Sequence, residues 1–275
     1  MLHDISVLLP VDRPAGALIE YAASLAKRFE SHLDGIACVY QSMNPMIASE
    51  AAAVVMAAEY ETGVGQAAIV LDQFEIVTRE LDVPHDARST CNVSYAATRT
   101  VTEMARLYDL NIVSQPDRSN PSLTDFLSEA MLFGSGRPVL LVPYINRGPF
   151  KCDRVLVCWD GGIPAARAVH DAMPFLRQAK TIDVVSVNEN ENAASEVASA
   201  ALIAHLARRD LAIRPYRLTA STANIHNAIL SLAADNSTDL IVMGGYGHSR
   251  LREFVLGGTT RGMFETLTVP ALMSH

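Results

Sequence analysis

Residues 244–260 read Gly-Gly-Tyr-Gly-His-Ser-Arg-Leu-Arg-Glu-Phe-Val-Leu-Gly-Gly-Thr-Thr, and here the chain concentrates residue types suited to holding an anion. Gly244 and Gly247 are three apart, and Gly257 follows ten residues later. Glycine reaches positive φ and lets backbone N–H groups approach a ligand with no Cβ in the way. Gly258, Thr259 and Thr260 then open a helix expected to run to Leu267, whose unpaired first-turn N–H groups and positive dipole end attract negative charge. Arg250, Arg252, Arg261 and His248 add donors nearby. The chemistry implied is a phosphate cradle; the competing reading is a glycine-rich turn that only reverses the chain.

Other reactive patterns fail on spacing. Gly247-His248-Ser249 begins like a hydrolase elbow, but Gly-x-Ser-x-Gly breaks at Leu251. His205 and His226 have no metal-like partners in sequence, so no zinc site is expected. Cys38, Cys91, Cys152 and Cys158 form no CxxC, and Cys38 and Cys158 sit in apolar strand-like runs, which predicts buried reduced thiols.

The elements that must position the cradle repeat. Val7-Leu8-Leu9-Pro10-Val11-Asp12 and Val155-Leu156-Val157-Cys158-Trp159-Asp160 are short buried-strand patterns ending in Asp, 148 residues apart. The next strands end at Val39 and Val187, at the same offset. Further on, Asp109–Ser114 matches Asp239–Gly244 at an offset of 130, and Pro138–Val142 matches Pro270–Ser274 at 132. The first half carries a longer helical stretch, Ile47 to Thr78, against Ala193–Arg209 in the second. It lacks the basic polar face of a membrane-surface helix, and core or interdomain packing is expected of it.

A period this long, with strands and helices alternating, indicates duplicated domains rather than a solenoid. The expected fold is α/β: two tandem doubly wound domains, residues 1–146 and 150–275, joined near Gly148-Pro149, each a five-stranded mainly parallel sheet with helices on both faces. Strands of the second are expected near 154–159, 182–187, 213–218, 239–243 and 269–273. Ligands of such sheets sit at the carboxyl ends of the strands, where Asp160, Val187 and Gly244 all fall. Asp160 suits either a ligand contact or the cap of the following helix. Trp159, the single tryptophan, is expected to pack rather than stack on a ligand.

Net charge is −8, but it is unevenly placed: residues 1–146 hold 9 Lys+Arg against 18 Asp+Glu, residues 147–275 hold 13 against 12. The acidic balance argues against a nucleic-acid partner, and an anion site belongs in the second half. No apolar run approaches a membrane span and the Met1–Ser6 start has no signal-peptide pattern, so a cytoplasmic address and no membrane partner are expected.

The Gly244, Gly247, Gly257 pattern, Gly-x2-Gly-x9-Gly after the fourth strand of a repeated β-α unit, resembles the universal stress protein family in its tandem form. That resemblance implies an adenine-nucleotide binder, ATP or a relative, with or without Mg. It implies phosphates on Gly244, Gly247, Gly257 and Gly258, Asp160 near base and ribose, and the backbone of Val187 on the adenine edge. The family's Ser or Thr after the third glycine is here Gly258, which leaves Thr259 and Thr260 as the nearest hydroxyls. It also implies pairing through the fifth strands, Val139–Val142 and Ala271–Ser274, within one chain or in a homodimer. The role expected is stress response by ligand-dependent association rather than rapid catalysis. Two other classes compete: a scaffold in which neither half binds nucleotide, and an ATP pyrophosphatase, which wants Ser-Gly-Gly-x-Asp-Ser where this chain has Asp160-Gly161-Gly162-Ile163-Pro164.

The first half is an internal control. Ser114 and Asp117 stand where the second half has Gly244 and Gly247, and Asp125 and Phe126 where it has Gly257 and Gly258. Two carboxylates and a ring replace the cradle, so this half is expected to have lost phosphate binding.

Overall fold

The structure is a computed structural model that describes residues 2–41, 50–117, 119, 122–188, 193–245 and 258–275. The chain divides into two compact units: residues 1–137 with 147–150, and residues 138–146 with 151–275.

Unit 1 runs β1 (Asp4–Leu9), α1 (Gly16–Phe29), β2 (His32–Gln41), α2 (Glu50–Glu80), β3 (His85–Val93), α3 (Ser94–Ala105), β4 (Leu110–Ser114) and α4 (Leu123–Gly134). Its strands lie parallel in the order β3-β2-β1-β4. The order runs outward from β1 to β3 and then jumps back to β4. Right-handed crossovers therefore place α1 and α2 on one face and α3 and α4 on the other. Burial on both faces explains why β1 is an almost unbroken apolar run, with Ile5, Val7, Leu8 and Leu9 all buried. Gly35 of β2 is glycine for close packing: a Cβ there would stand 2.7 Å from the Phe74 ring of α2.

Unit 2 opens with β5 (Val139–Val142) and continues β6 (Arg154–Cys158), α5 (Ile163–Asp171), α6 (Met173–Leu176), β7 (Thr181–Val187), α7 (Ala193–Ala207), β8 (Ile213–Leu218), a 3₁₀ turn (Thr222–Asn224), α8 (Ile225–Asp235), β9 (Leu240–Gly244), α9 (Gly258–Thr266) and β10 (Ala271–Ser274). The order β8-β7-β6-β9-β10 repeats that of unit 1 and adds the fifth position. The helical stretch after β6 is broken in two, because Pro174 in the first turn of α6 offers no N–H to continue α5.

β5, the fifth strand of the first half by sequence, lies in unit 2 and pairs antiparallel with β10, Leu141 opposite Ala271 and Leu140 opposite Leu272. The chain then returns to unit 1 through Gly148, whose φ of +87° suits glycine. Phe150 anchors that return, its ring 5.7 Å from Tyr21 edge-on and its N–H donated to Ser24 Oγ at 2.7 Å. A consequence is testable by truncation. A fragment of residues 138–275 keeps the four buried β5 side chains, worth about 2 kcal/mol or more of apolar burial. It is expected to melt several degrees above a fragment of residues 149–275 in calorimetry; equal melting points would show that β5 adds nothing to this unit.

No helix among the described residues is long and apolar enough to cross a membrane.

Candidate functional site

The carboxyl ends of β6, β7 and β9 meet in unit 2. β6 ends at Cys158, and Trp159 and Asp160 follow. The Asp160 carboxylate is exposed and turns back on its own loop, Oδ1 accepting the Gly162 N–H at 2.8 Å. Gly161, between them, has φ +76°, a conformation that glycine adopts without strain. Gly162 is the N-cap of α5, so Asp160 is bound to the start of that helix. The sequence left Asp160 between cap and ligand contact; the carboxylate makes the cap-like bond and keeps capacity for another.

Val187 closes β7. The β6–β7 ladder stops at Cys158 opposite Val185, with the Trp159 N–H donated to the Val185 carbonyl at 2.9 Å. The Asn188 N–H turns the other way, to Leu218 of β8 at 2.8 Å. Backbone groups alternate sides along a strand, so the N–H and C=O of Val187 point in the same direction as those of Val185, toward a β6 that has already ended. β7 thus presents one donor and one acceptor side by side at the mouth of the sheet. Asn188 stiffens this edge, its amide exchanging two hydrogen bonds with the backbone of Ala220, 2.7 and 2.9 Å.

Gly244 ends β9, opposite Ser274 of β10. A Cβ there would stand 2.6 Å from the Ala165 nitrogen and 2.8 Å from the Pro164 carbonyl carbon. The first turn of α5 rests on this glycine, which gives it a packing reason independent of any ligand. The Gly245 N–H is donated to Ser274, and the His275 ring N–H to the Gly245 carbonyl at 2.9 Å. Gly247 and Gly257, with His248, Arg250 and Arg252, lie outside the described residues. Gly258 begins α9, as the helix expected from the sequence begins. Of the two threonines, Thr260 is buried and already engaged within the fold, whereas Thr259 is half-buried. The Arg261 side chain pairs with Glu265 at 3.0 Å along the helix surface.

Cys158, expected to be buried, is partly exposed; desolvation pushes its thiol up to about 12, with the Asp160 charge adding to the shift. Cys38 and Cys152 are buried and reduced.

In unit 1 the same strand overhang exists, β1 pairing with β2 only as far as Leu9 opposite Ala37. The halves diverge at the phosphate end. Asp125, in the first turn of α4, accepts the backbone N–H groups of Ser122 and Asp117 at 2.8 and 3.2 Å and the Arg13 guanidinium at 3.0 Å. Arg13 also reaches Ser122 Oγ at 2.6 Å, and the aligned position in unit 2 is Gly161. A built-in carboxylate therefore takes the N-cap N–H, a loop N–H and the cation that an exogenous anion would use. Asp125 rather than the Phe126 ring does this, since Phe126 is 65% exposed.

The strand order, with helices on both faces and helix N-termini following β6 and β9, makes this a doubly wound α/β domain, a fold whose ligands sit at the carboxyl ends of the strands. The sequence profile of the universal stress protein family matches residues 151–275. This match covers the second half of the chain, and the strand order of the first half repeats that of the second. The fold of a universal stress protein from Archaeoglobus fulgidus covers 98% of this chain and 97% of its own, with a TM-score of 0.72 at 16% identity. A functionally unknown protein of Pseudomonas aeruginosa, PA1789, matches 99% of this chain and 92% of its own, with a TM-score of 0.63 at 16% identity. The universal stress protein Slr1230 of Synechocystis is 42% identical over 45 residues, a match spanning 16% of either chain.

Proposed function

We propose that unit 2 binds an adenine nucleotide, ATP or a close relative with or without Mg, and that the chain acts in stress response through ligand-dependent association rather than catalysis. The observation that carries this is the overhang of β7 beyond β6. An N–H and a C=O side by side at Val187 are complementary to the acceptor and donor on the edge of adenine, and Asp160, in the turn that follows β6, would take the ribose. The phosphates would then lie toward Gly244, Gly247, Gly257, Gly258 and the first turn of α9, where α-helical N–H groups are unpaired by construction. Binding belongs to residues 150–275; residues 1–146 bind none, because Asp125 and Arg13 already satisfy each other there. A nucleotide bound against Gly244 and the first turn of α9 would give the two ligand states different surfaces, which is what a partner requires in order to read them. The pairing of β5 with β10 lies within the chain, so nucleotide binding does not depend on a homodimer.

Gly258 sets a specific expectation. It gives the terminal phosphate only a backbone N–H, and Thr260 is engaged, so Thr259 is the remaining hydroxyl in the first turn. A missing hydrogen bond to a charged group is worth about 1.5–3 kcal/mol, roughly a ten- to hundredfold difference in affinity. ATP and ADP are therefore expected to bind alike in the parent, and Gly258→Ser is expected to tighten ATP selectively. Titration calorimetry of both nucleotides against both proteins tests it. A parent that strongly prefers ATP and ignores Gly258→Ser and Thr259→Ala contradicts this account of the phosphate end.

A further inference from the structure

At the amino ends of β2 and β3, away from the end of the strands where ligands of such sheets bind, three potential metal ligands converge. His32 and Asp34 are two apart on β2, and the register sets Asp34 opposite Asp86 of β3. Strand alternation puts His32, Asp34, Asp86 and Arg88 on one face and Leu33, Gly35 and His85 on the other. On that other face α2 supplies Phe74 against Gly35 and His85. His32 Nε2 is 3.1 Å from Asp34 Oδ1 and 3.3 Å from Asp86 Oδ2, and the three atoms lie within 4.8 Å of one another.

We propose that His32, Asp34 and Asp86 form a binding site for one first-row divalent transition ion, of which Zn²⁺ is the practical probe. Ligands about 2.0–2.2 Å from such an ion are about 3.0–3.5 Å from each other in octahedral or tetrahedral geometry. Two of the three edges already have that length, and only the Asp34–Asp86 edge has to adjust. Asp34 is the fixed member. It is buried, its Oδ2 accepts hydrogen bonds from Arg88 and from the Tyr108 hydroxyl, and this leaves Oδ1 turned toward His32. Outer partners that lock a ligating carboxylate in this way are the usual support of a metal site. Asp86 is 74% exposed and His32 35% exposed at the side chain, so an ion and its completing waters have a route in. One imidazole with two carboxylates favours a transition ion over Mg²⁺ or Ca²⁺, which take oxygen ligands. The excess of Asp and Glu in residues 1–146 supplies a favourable field.

The untagged full chain is titrated with Zn²⁺, Co²⁺ and Mg²⁺ in parent, His32→Ala and Asp86→Asn forms, with circular dichroism confirming that each is folded. Asp34 is left in place because it also holds Arg88 and Tyr108. One Zn²⁺ per chain is expected, weakened at least about tenfold in each variant, with no measurable Mg²⁺ affinity. The Co²⁺ spectrum should lack a thiolate charge-transfer band, and Asp160→Ala should leave Zn²⁺ binding unchanged. Absence of Zn²⁺ binding, binding that survives both substitutions, or a thiolate band would each overturn the assignment.

Discussion

Replacing Gly247 by Val is expected to remove nucleotide binding, with an affinity loss of at least about a hundredfold and little change in melting temperature. Gly247 is the second glycine of Gly-x2-Gly-x9-Gly. A β-branched residue there resists positive φ and places two methyl groups where phosphate oxygens are expected. The loss of several charge-assisted hydrogen bonds, each worth about 1.5–3 kcal/mol, accounts for the size of the effect. Titration calorimetry with ATP measures it, and a control melt separates a lost site from a lost fold. Unaltered affinity would mean that these glycines only turn the chain, which is the scaffold reading.

Gly244→Ala should act the other way round, on the fold first. Its new Cβ would meet backbone, the Ala165 nitrogen at 2.6 Å and the Pro164 carbonyl carbon at 2.8 Å, and neither can rotate aside as a side-chain tip can. Either α5 lifts from β9 or the end of β9 bends. Overpacking of this kind costs about 1–3 kcal/mol. For a chain of this size that lowers the calorimetric melting temperature by roughly 2–12 °C. Because α5 also carries the turn that holds Asp160, nucleotide affinity should fall in parallel with stability. A variant that melts like the parent yet binds nothing would place Gly244 at the phosphates rather than under the helix.

The contrast between these two glycines shows what the sequence could and could not tell. The strands of unit 2 lie within two residues of where they were expected, and the apolar runs among them show it best: 182–187 was expected and Thr181–Val187 is found, 239–243 was expected and Leu240–Gly244 is found. Strands buried on both faces must be continuous apolar runs, and that local demand is written in composition. The end of α9 is also local, Thr266 against an expected Leu267. The reason for Gly244 is not local, since its neighbour is a helix start eighty residues earlier in the chain. The same holds for Asp125 with Arg13, 112 residues apart. Read singly, Asp125 looked like mere loss of a cradle; in the fold it is a replacement anion. The backbone edge at Val187 leaves no trace in side-chain identity at all, and only the lengths of neighbouring strands reveal it. His32, Asp34 and Asp86 form no sequence motif because strand pairing, not sequence spacing, brings Asp86 across.

One titration bears most directly on the assignment of a single nucleotide site to the second half. Calorimetry of the full chain with ATP, after stripping any carried nucleotide, should return a stoichiometry of one per chain. Asp125→Ala, which dismantles the internal carboxylate of unit 1, should leave that site's affinity unchanged. Two equivalent sites in the parent would contradict the reading of unit 1 as self-satisfied, and no binding at all would contradict the function proposed for unit 2.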